Sequence, residues 1–247
     1  MTYAIILAAG IGKRLEGNAG ELPKCLLRFN GTTLLERHLS NLLEFGINEI
    51  YVVTGYQSQD IEQVIYASDA GRITQPIFNP RYNKGSHISL LTGLARERDK
   101  SDFILMDADV LYDKEILSRL INSSHRNCFL LDKDYIPGDE PVKLCIRDGR
   151  IVEFRKLLDC NLQCDFQGES VGFFRFSPEI ADKIVDNINL YLERGDDDSP
   201  YEEIIRDLLL ENPNDFGFED ITGLPWIEID FMEDIKRAKL EILPLIE

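Results

Sequence analysis

Over its first 125 residues the chain alternates short apolar runs with amphipathic segments, and this alternation points to an α/β fold built on a largely parallel sheet. Tyr3-Ala-Ile-Ile-Leu-Ala8 is a continuous apolar run, the mark of a strand buried on both faces. Thr33-Leu-Leu-Glu36 is a capping-box pattern opening a helix, with Leu34, Leu35, Leu39, Leu42 and Leu43 on or near one face. Ile50–Thr54 reads as the next strand, and Ile61, Val64 and Ile65 as a helix after it. Ile73–Phe78 and Phe103–Met106 are further strands, with a helix around Ser89–Arg98 between them.

Beyond residue 125 the pattern changes. Val142–Ile146 and Ile151–Phe154 flank Asp148-Gly149, a hairpin turn signal, and Val171–Phe176 is another strand. Ser177-Pro178 and Ser199-Pro200 each offer an N-cap followed by Pro at the first helical position, with Glu202 completing a capping box in the second. A last strand, Trp226–Asp230, leads into a helix with Ile235, Ala238 and Ile242 on one face. There is no repeat, low-complexity tract or linker, so residues 1–247 are expected to form one domain, with one part over about 1–125 and a second over about 126–247.

The charge is uneven. Forty-four acids against 27 cations give −17, yet residues 1–40 hold five cations against three acids, while residues 159–247 hold 23 acids against seven cations. A chain so acidic repels nucleic acid, which needs a basic face. The apolar runs are too short to span a bilayer and no basic segment precedes the first, so neither membrane insertion nor secretion is expected, and the reading is cytoplasmic. Five cysteines with no C-x-x-C pair read as reduced thiols, and Cys160 and Cys164 find no partners for a metal. The N-terminal cations form an island that suits a small anionic ligand.

That island flanks Leu7-Ala-Ala-Gly-Ile-Gly-Lys-Arg-Leu15 and Pro23-Lys24, in a long loop after the first strand. Gly10 and Gly12 are followed by Leu15 where a dinucleotide fingerprint needs a small residue, and a Walker loop fails at Leu7 and Arg14. Ala8, Ala9 and Gly10 nevertheless let backbone N–H groups approach an anion, and Lys13, Arg14 and Lys24 can neutralise phosphate. Asp107-Ala-Asp109 ends a strand, so both carboxylates face one side, where like charges call for a cation. Hard carboxylate oxygens suit Mg²⁺. Glu228-Ile-Asp230 repeats the pattern at a distant strand end.

Together these segments resemble the nucleotidyltransferases that activate sugar-1-phosphates and small phospho-alcohols. Glu140-Pro-Val-Lys143, Asp148–Lys156, Glu169–Ser177 and Glu228–Ile235 follow in family order, and Tyr201-Glu-Glu203 with the E-I-D ending is closest to the bacterial phosphocholine cytidylyltransferase branch, beside enzymes using aminoethylphosphonate or inositol phosphate. The resemblance implies a Rossmann-like, GT-A-like three-layer fold with a mixed, mainly parallel central sheet. It implies that Leu7, Ala8, Ala9, Gly10, Gly12 and Lys13 hold the nucleotide, that Arg14 and Lys24 hold the triphosphate, and that Asp109 and Asp230 bind Mg²⁺ with Asp107 and Glu228 beside them. Gly85, Ser86 and Ser89 fall in the segment where the family reads the base, although Ser86 stands where Asn is common. Lys143, Lys156, Glu169, Tyr201 and Glu202 fall on the acceptor side, and His87 is expected to have a positional or surface role.

The expected reaction is attack by a phosphate or phosphonate oxygen on the α-phosphorus of CTP, with pyrophosphate leaving. The nucleophile is already anionic, so positioning and charge neutralisation carry the catalysis. Phosphocholine or 2-aminoethylphosphonate is the expected acceptor, since carboxylates at Asp196–Asp198 and Glu202–Glu203, with Tyr191 or Tyr201, suit a cationic head. A sugar- or inositol-1-phosphate nucleotidyltransferase is the alternative. A D-x-D glycosyltransferase leaves Gly10–Arg14 and Pro23-Lys24 unexplained, and a nucleotide-sensing module needs no second acidic pair. The partners are small molecules, and a homo-oligomer stays open.

Overall fold

The computed structural model describes residues 2–12, 14–15, 22–95, 101–136, 138 and 140–246. Its centre is a nine-stranded sheet. Strand β1 (Tyr3–Ala8) is followed by a small hairpin of β2 (Arg28–Phe29) and β3 (Thr32–Thr33), then by helix α1 (Leu34–Glu44). Next come β4 (Ile50–Thr54), α2 (Ser58–Ala67), β5 (Thr74–Phe78), α3 (Ser86–Leu94), β6 (Phe103–Asp107), β7 (Val110–Tyr112) and α4 (Lys114–Asn122). The second half supplies β8 (Cys128–Asp132), β9 (Lys143–Arg147), β10 (Arg150–Arg155), β11 (Phe166–Phe176), α5 (Pro178–Glu193), α6 (Tyr201–Glu211), β12 (Gly217–Asp220), β13 (Trp226–Glu228), α7 (Met232–Arg237) and α8 (Leu243–Ile246).

Strands β1, β4, β5 and β6 run parallel, with β1 between β6 and β4. Their period-2 alternation divides the core. Ala4, Ile6, Val52, Ile104 and Met106 face α1, α2 and α4 through Leu35, Leu39, Ile61, Ile65, Ile116 and Leu120. On the other face Tyr3, Ile5, Val53, Phe103 and Leu105 pack against α3, α5 and α6 through Leu90, Leu94, Ile184, Ile204 and Leu208. The result is three layers, helices on both faces of the sheet. Thr33 caps α1 as its sequence requires: its hydroxyl accepts from Glu36 N, and the Glu36 carboxylate accepts from Thr33 N at 2.7 Å.

Strand β11 makes the sheet mixed. It runs antiparallel to β6 through Phe173–Phe176 and to β9 through Phe166–Glu169, with β8 along its other edge. Gly172 sits between those halves at φ +77°, and a Cβ there would stand 2.3 Å from Asp107 Oδ2. Glycine is therefore required where β11 passes the end of β6. The expected Val171–Phe176 strand begins earlier, at Phe166, where its first half pairs with β9.

Other expectations are corrected by tertiary contacts. Helix α3 begins at Ser86, three residues before the expected Ser89, and Arg98 lies outside the described residues. Ser199 is not the cap of α6: Pro200 takes that position, no side chain caps the helix, and Ser199 Oγ bonds Asp196 instead. The last strand ends at Glu228 and pairs with β7 outside the main sheet. Strands β8 and β12 and helix α4 had no expectation. The five cysteines are not all thiols, because Cys145 on β9 is bonded to Cys164, leaving Cys25, Cys128 and Cys160 free. The hairpin is as expected, with Asp148 at φ 52° and Gly149 at φ 70°.

Candidate active site

Where β1 ends, the chain turns across the carboxyl edge of the sheet, the usual position of a ligand in open α/β folds. Ala8 and Ala9 are buried, and Tyr56 N donates to Ala9 O at 3.1 Å, fixing the start of the turn. Gly12 has φ +66°, and Leu15 N donates to Gly12 O at 3.2 Å. A Cβ on Gly12 would stand 3.1 Å from Lys24 Cγ, so its absence lets the lysine stem lie along the loop. Pro23 then starts a single 3₁₀ turn, Lys24–Leu26, which buries Cys25 and aims Lys24 across the cleft. Lys13 lies outside the described residues.

The two acidic pairs meet although they are more than 100 residues apart. Antiparallel pairing puts Glu228 opposite Val110, and Ile229 N donates to Asp109 O at 3.0 Å. One carboxylate oxygen each from Asp109, Glu228 and Asp230 then lies within 4.8 Å of the others. Lys24 Nζ joins Asp109 Oδ2 at 2.9 Å and Asp230 Oδ1 at 2.6 Å, while Arg14 reaches Asp230 Oδ2 at 2.6 Å and Glu140 at 3.1 Å. Asp234, which the sequence reading passed over, accepts from Asp230 N at 3.0 Å and Phe231 N at 2.7 Å, holding the Asp230 backbone.

The charges follow from this packing. Burial alone would lower the Lys24 ammonium, but Asp109 and Asp230 outweigh it and hold its pKa well above the ordinary value. Burial would raise Asp230, and Lys24 and Arg14 turn it downward instead. At Glu228 burial and then the charges of Asp109 and Asp230 outweigh the charge of Lys24 and push it well up. This trio fits a hard divalent cation: all donors are carboxylate oxygens, they converge, and an ammonium already bridges two of them. Asp107 stands apart from the trio. Its Oδ2 accepts from Tyr201 Oη at 2.6 Å, and burial followed by the charges of Asp109 and Glu202 raises its pKa.

Helices α3 and α6 form the facing wall. Ser86 Oγ accepts from Tyr201 N at 2.9 Å, which supplies the bond that an N-cap would have made. Ser89 Oγ accepts from Asn79 Nδ2 at 3.0 Å, and His87 Nδ1 lies 2.6 Å from Ser199 O, buried rather than at the surface. Gly85 does not line the cleft. It packs under the 197–199 segment, where a Cβ would stand 2.1 Å from Ser199 O. Glu202 enters the cleft with Oε2 buried and unpartnered among the described residues, and burial raises its pKa.

Not every acceptor-side residue reaches the cleft. Lys156 lines it and pairs with Glu140 at 3.1 Å. Lys143 is buried, with Nζ donating to the carbonyls of Gly138, Pro141 and Lys156, so it braces the Glu140 loop rather than facing a ligand. Glu169 lies between Asp132 and Lys143 in the sheet, off the cleft lining. Asp197 pairs with Arg81 and Lys84, and Tyr191 Oη donates to Asp207, which leaves neither for a cationic head. The cleft encloses about 510 Å³ and also takes in Tyr82, Asn83 and Lys84. Such a volume accommodates a nucleotide-sized ligand.

A loop built for anions, two cations and three converging carboxylates now stand in one cleft. Residues 4–158, which include that loop, Asp107 and Asp109, match the MobA-like NTP transferase domain. The chain belongs to this family. Over 94% of its length it is 26% identical to the CTP:phosphoglutamine cytidylyltransferase of Campylobacter jejuni, covering 97% of that protein. It is 28% identical to the bifunctional IPC transferase and DIPP synthase of Thermococcus kodakarensis over 96% of this chain, but spans about half of that protein, 49%. The fold matches the inositol-1-phosphate CTP transferase of T. maritima at a TM-score of 0.79 and 21% identity, over 99% of this chain and 95% of that one. It matches the CTP:phosphocholine cytidylyltransferase of Streptococcus pneumoniae at 0.75 and 22%, over 96% and 97%. The three-layer nucleotidyltransferase fold and nucleotidyltransferase activity expected from the sequence are therefore borne out. Among the described residues no helix is long and apolar enough to cross a membrane.

Proposed function

We propose that this nucleotidyltransferase moves CMP from CTP to a small phosphate or phosphonate acceptor with a cationic head, releasing pyrophosphate. The observation that carries the reading is the position of Lys24, between the anion loop of β1 and the Asp109–Glu228–Asp230 trio. The backbone at Ala8, Ala9 and Gly10 holds the base and ribose, and Arg14 and Lys24 bind the phosphate chain. An acceptor oxygen forms a bond to the α-phosphorus as the bond to the β-phosphate bridging oxygen breaks, and pyrophosphate leaves with that oxygen. Lys24 and Arg14 neutralise the charge that develops on the phosphoryl oxygens and on the leaving group. Asp109, Glu228 and Asp230 would hold Mg²⁺, which supplies further neutralisation when bound. No general base is needed, because the attacking oxygen is already anionic.

The acceptor assignment rests on Glu202. Glu202 Oε2 is buried in the cleft with no hydrogen-bond partner among the described residues, and a cationic acceptor head would add to the charge of Lys156 in favouring its ionised form. The relative named for phosphocholine supports this reading, and the one named for inositol-1-phosphate supports the alternative of an uncharged head. The test is pyrophosphate release in a crossed screen of CTP, UTP, ATP and GTP against phosphocholine, 2-aminoethylphosphonate, inositol-1-phosphate and glucose-1-phosphate. CTP with a cationic acceptor should give the highest kcat/KM. An uncharged-head acceptor ahead by about tenfold, roughly 1.4 kcal/mol, would overturn the acceptor assignment, and a purine triphosphate ahead would overturn the base assignment.

A further inference from the structure

A second cavity, of about 550 Å³, lies away from the cleft between the β9–β10 hairpin and the end of α6. No residue lines both cavities. Its polar rim is Arg147, Asp148 and Arg150, and its apolar floor is Ile151, Val152, Leu210 and Pro213. Arg147 and Arg150 are directly opposed in the antiparallel register and flank the two-residue turn. Like charges in that relation repel. Both arginines are exposed, and neither has a hydrogen-bond or ion-pair partner among the described residues, in a chain of net charge −17 that pairs most of its other arginines.

The surroundings hold this pair in place. On β10, Arg155 pairs with Glu203 at 3.2 Å and Glu153 takes a two-pronged bond from Arg206 at 2.6 and 2.7 Å, bolting the hairpin to α6. The turn itself is fixed by Asp148 N donating to Asp165 at 2.7 Å. The backbone that carries the two arginines is thus fixed beside an apolar floor that includes Leu210, a large side chain 42% exposed. The two guanidinium groups offset the carboxylates of Asp148 and Asp165 at this turn, in an otherwise acidic molecule.

We propose that this groove is a binding site for a small organic phosphate, distinct from the catalytic cleft. The phosphate oxygens accept from Arg147 and Arg150, and the apolar body of the ligand covers Leu210, Val152 and Pro213. Arginine forks match phosphate geometry, and a phosphate between them removes the repulsion of the opposed pair. The inference does not rest on the identity of the nucleotide or acceptor.

Phenyl phosphate is a suitable probe, with one dianionic end and one apolar body, and its binding to the full chain is measured by calorimetry at constant ionic strength. The wild-type protein should show a groove site that Arg147→Ala/Arg150→Ala weakens by at least tenfold, while turnover without the probe stays unchanged. Arg147→Lys/Arg150→Lys, which keeps the charge and loses the forks, should recover only part of the affinity. Leu210→Ala should weaken phenyl phosphate several-fold and leave inorganic phosphate unaffected. Phenyl phosphate binding of equal stoichiometry and affinity in the wild type and the double alanine variant would overturn the proposal. The pair would then serve only to keep β10, the last strand of the sheet, from pairing with another edge. Equal binding by the lysine variant and the wild type would overturn the part played by the forks.

Discussion

Replacing Lys24 with methionine separates the two tasks that the structure gives this ammonium. In the free protein it bridges Asp109 and Asp230, whose side chains, with that of Lys24, retain between 15% and 21% exposure. Removing one partner of a fully buried pair costs about 3–5 kcal/mol. Partial solvent access reduces that to about 1–3 kcal/mol here. For a chain of this size the loss corresponds to a fall in Tm of roughly 3–10 °C. During transfer the same ammonium faces the phosphoryl oxygens, and loss of one preorganised charge lowers kcat by about 10² to 10³. The two effects respond differently to Mg²⁺. Without the lysine, the three carboxylates repel one another more strongly, so the variant should gain more stability than the wild type from saturating Mg²⁺, while kcat stays low. Differential scanning calorimetry with and without Mg²⁺, alongside pyrophosphate release, reads both quantities. An unchanged kcat with a raised KM would make Lys24 a binding group only. Equal Mg²⁺ stabilisation in the two proteins would refute the view that ammonium and cation share the trio.

Three further perturbations probe the supporting structure. Glu228→Gln removes a buried carboxylate whose repulsive neighbours outweigh the charge of Lys24, so it should raise the apo Tm while weakening Mg²⁺-dependent stabilisation, both measured by calorimetry. Glu169 is pushed up to about 7, first by burial and then by Asp132. Between its ordinary value and about 7 the folded state binds more protons than the unfolded one, so stability falls as pH rises through that window, by about 1–3 kcal/mol; Glu169→Gln should remove this decline from urea unfolding measured at pH 5, 6, 7 and 8, and parallel curves would refute it. Gly172→Ala places a Cβ at φ +77° and 2.3 Å from Asp107, so it should cost at least about 2 kcal/mol of stability and lower kcat by moving Asp107, and wild-type values for both would show that β11 can yield there.

The parts of the molecule legible in the sequence are those whose cause is local. The apolar run at Tyr3–Ala8, the Thr33–Glu36 cap and the Asp148-Gly149 turn carry their structural reasons within a few residues, and each takes the form read from it. Ser199-Pro200 carried an equally good local signal and gave a different result, because Ser86 Oγ, 115 positions away, takes the Tyr201 N–H that a cap would have taken. The acidic pairs were legible as chemistry but not as geometry. That Asp109, Glu228 and Asp230 converge while Asp107 turns to Tyr201 depends on β13 pairing with β7 and on Gly172 crossing beside β6. Lys143 shows the same limit from the other side. Its place in a charged motif made it a candidate ligand group, yet the backbone carbonyls of Gly138, Pro141 and Lys156 converge on its ammonium. Residue type and order announce which charges a site will use. Long-range strand pairing decides which of them face the ligand, and those pairings set the work each charge does: Lys24 between carboxylates, and Lys143 beneath the carbonyls of Gly138, Pro141 and Lys156.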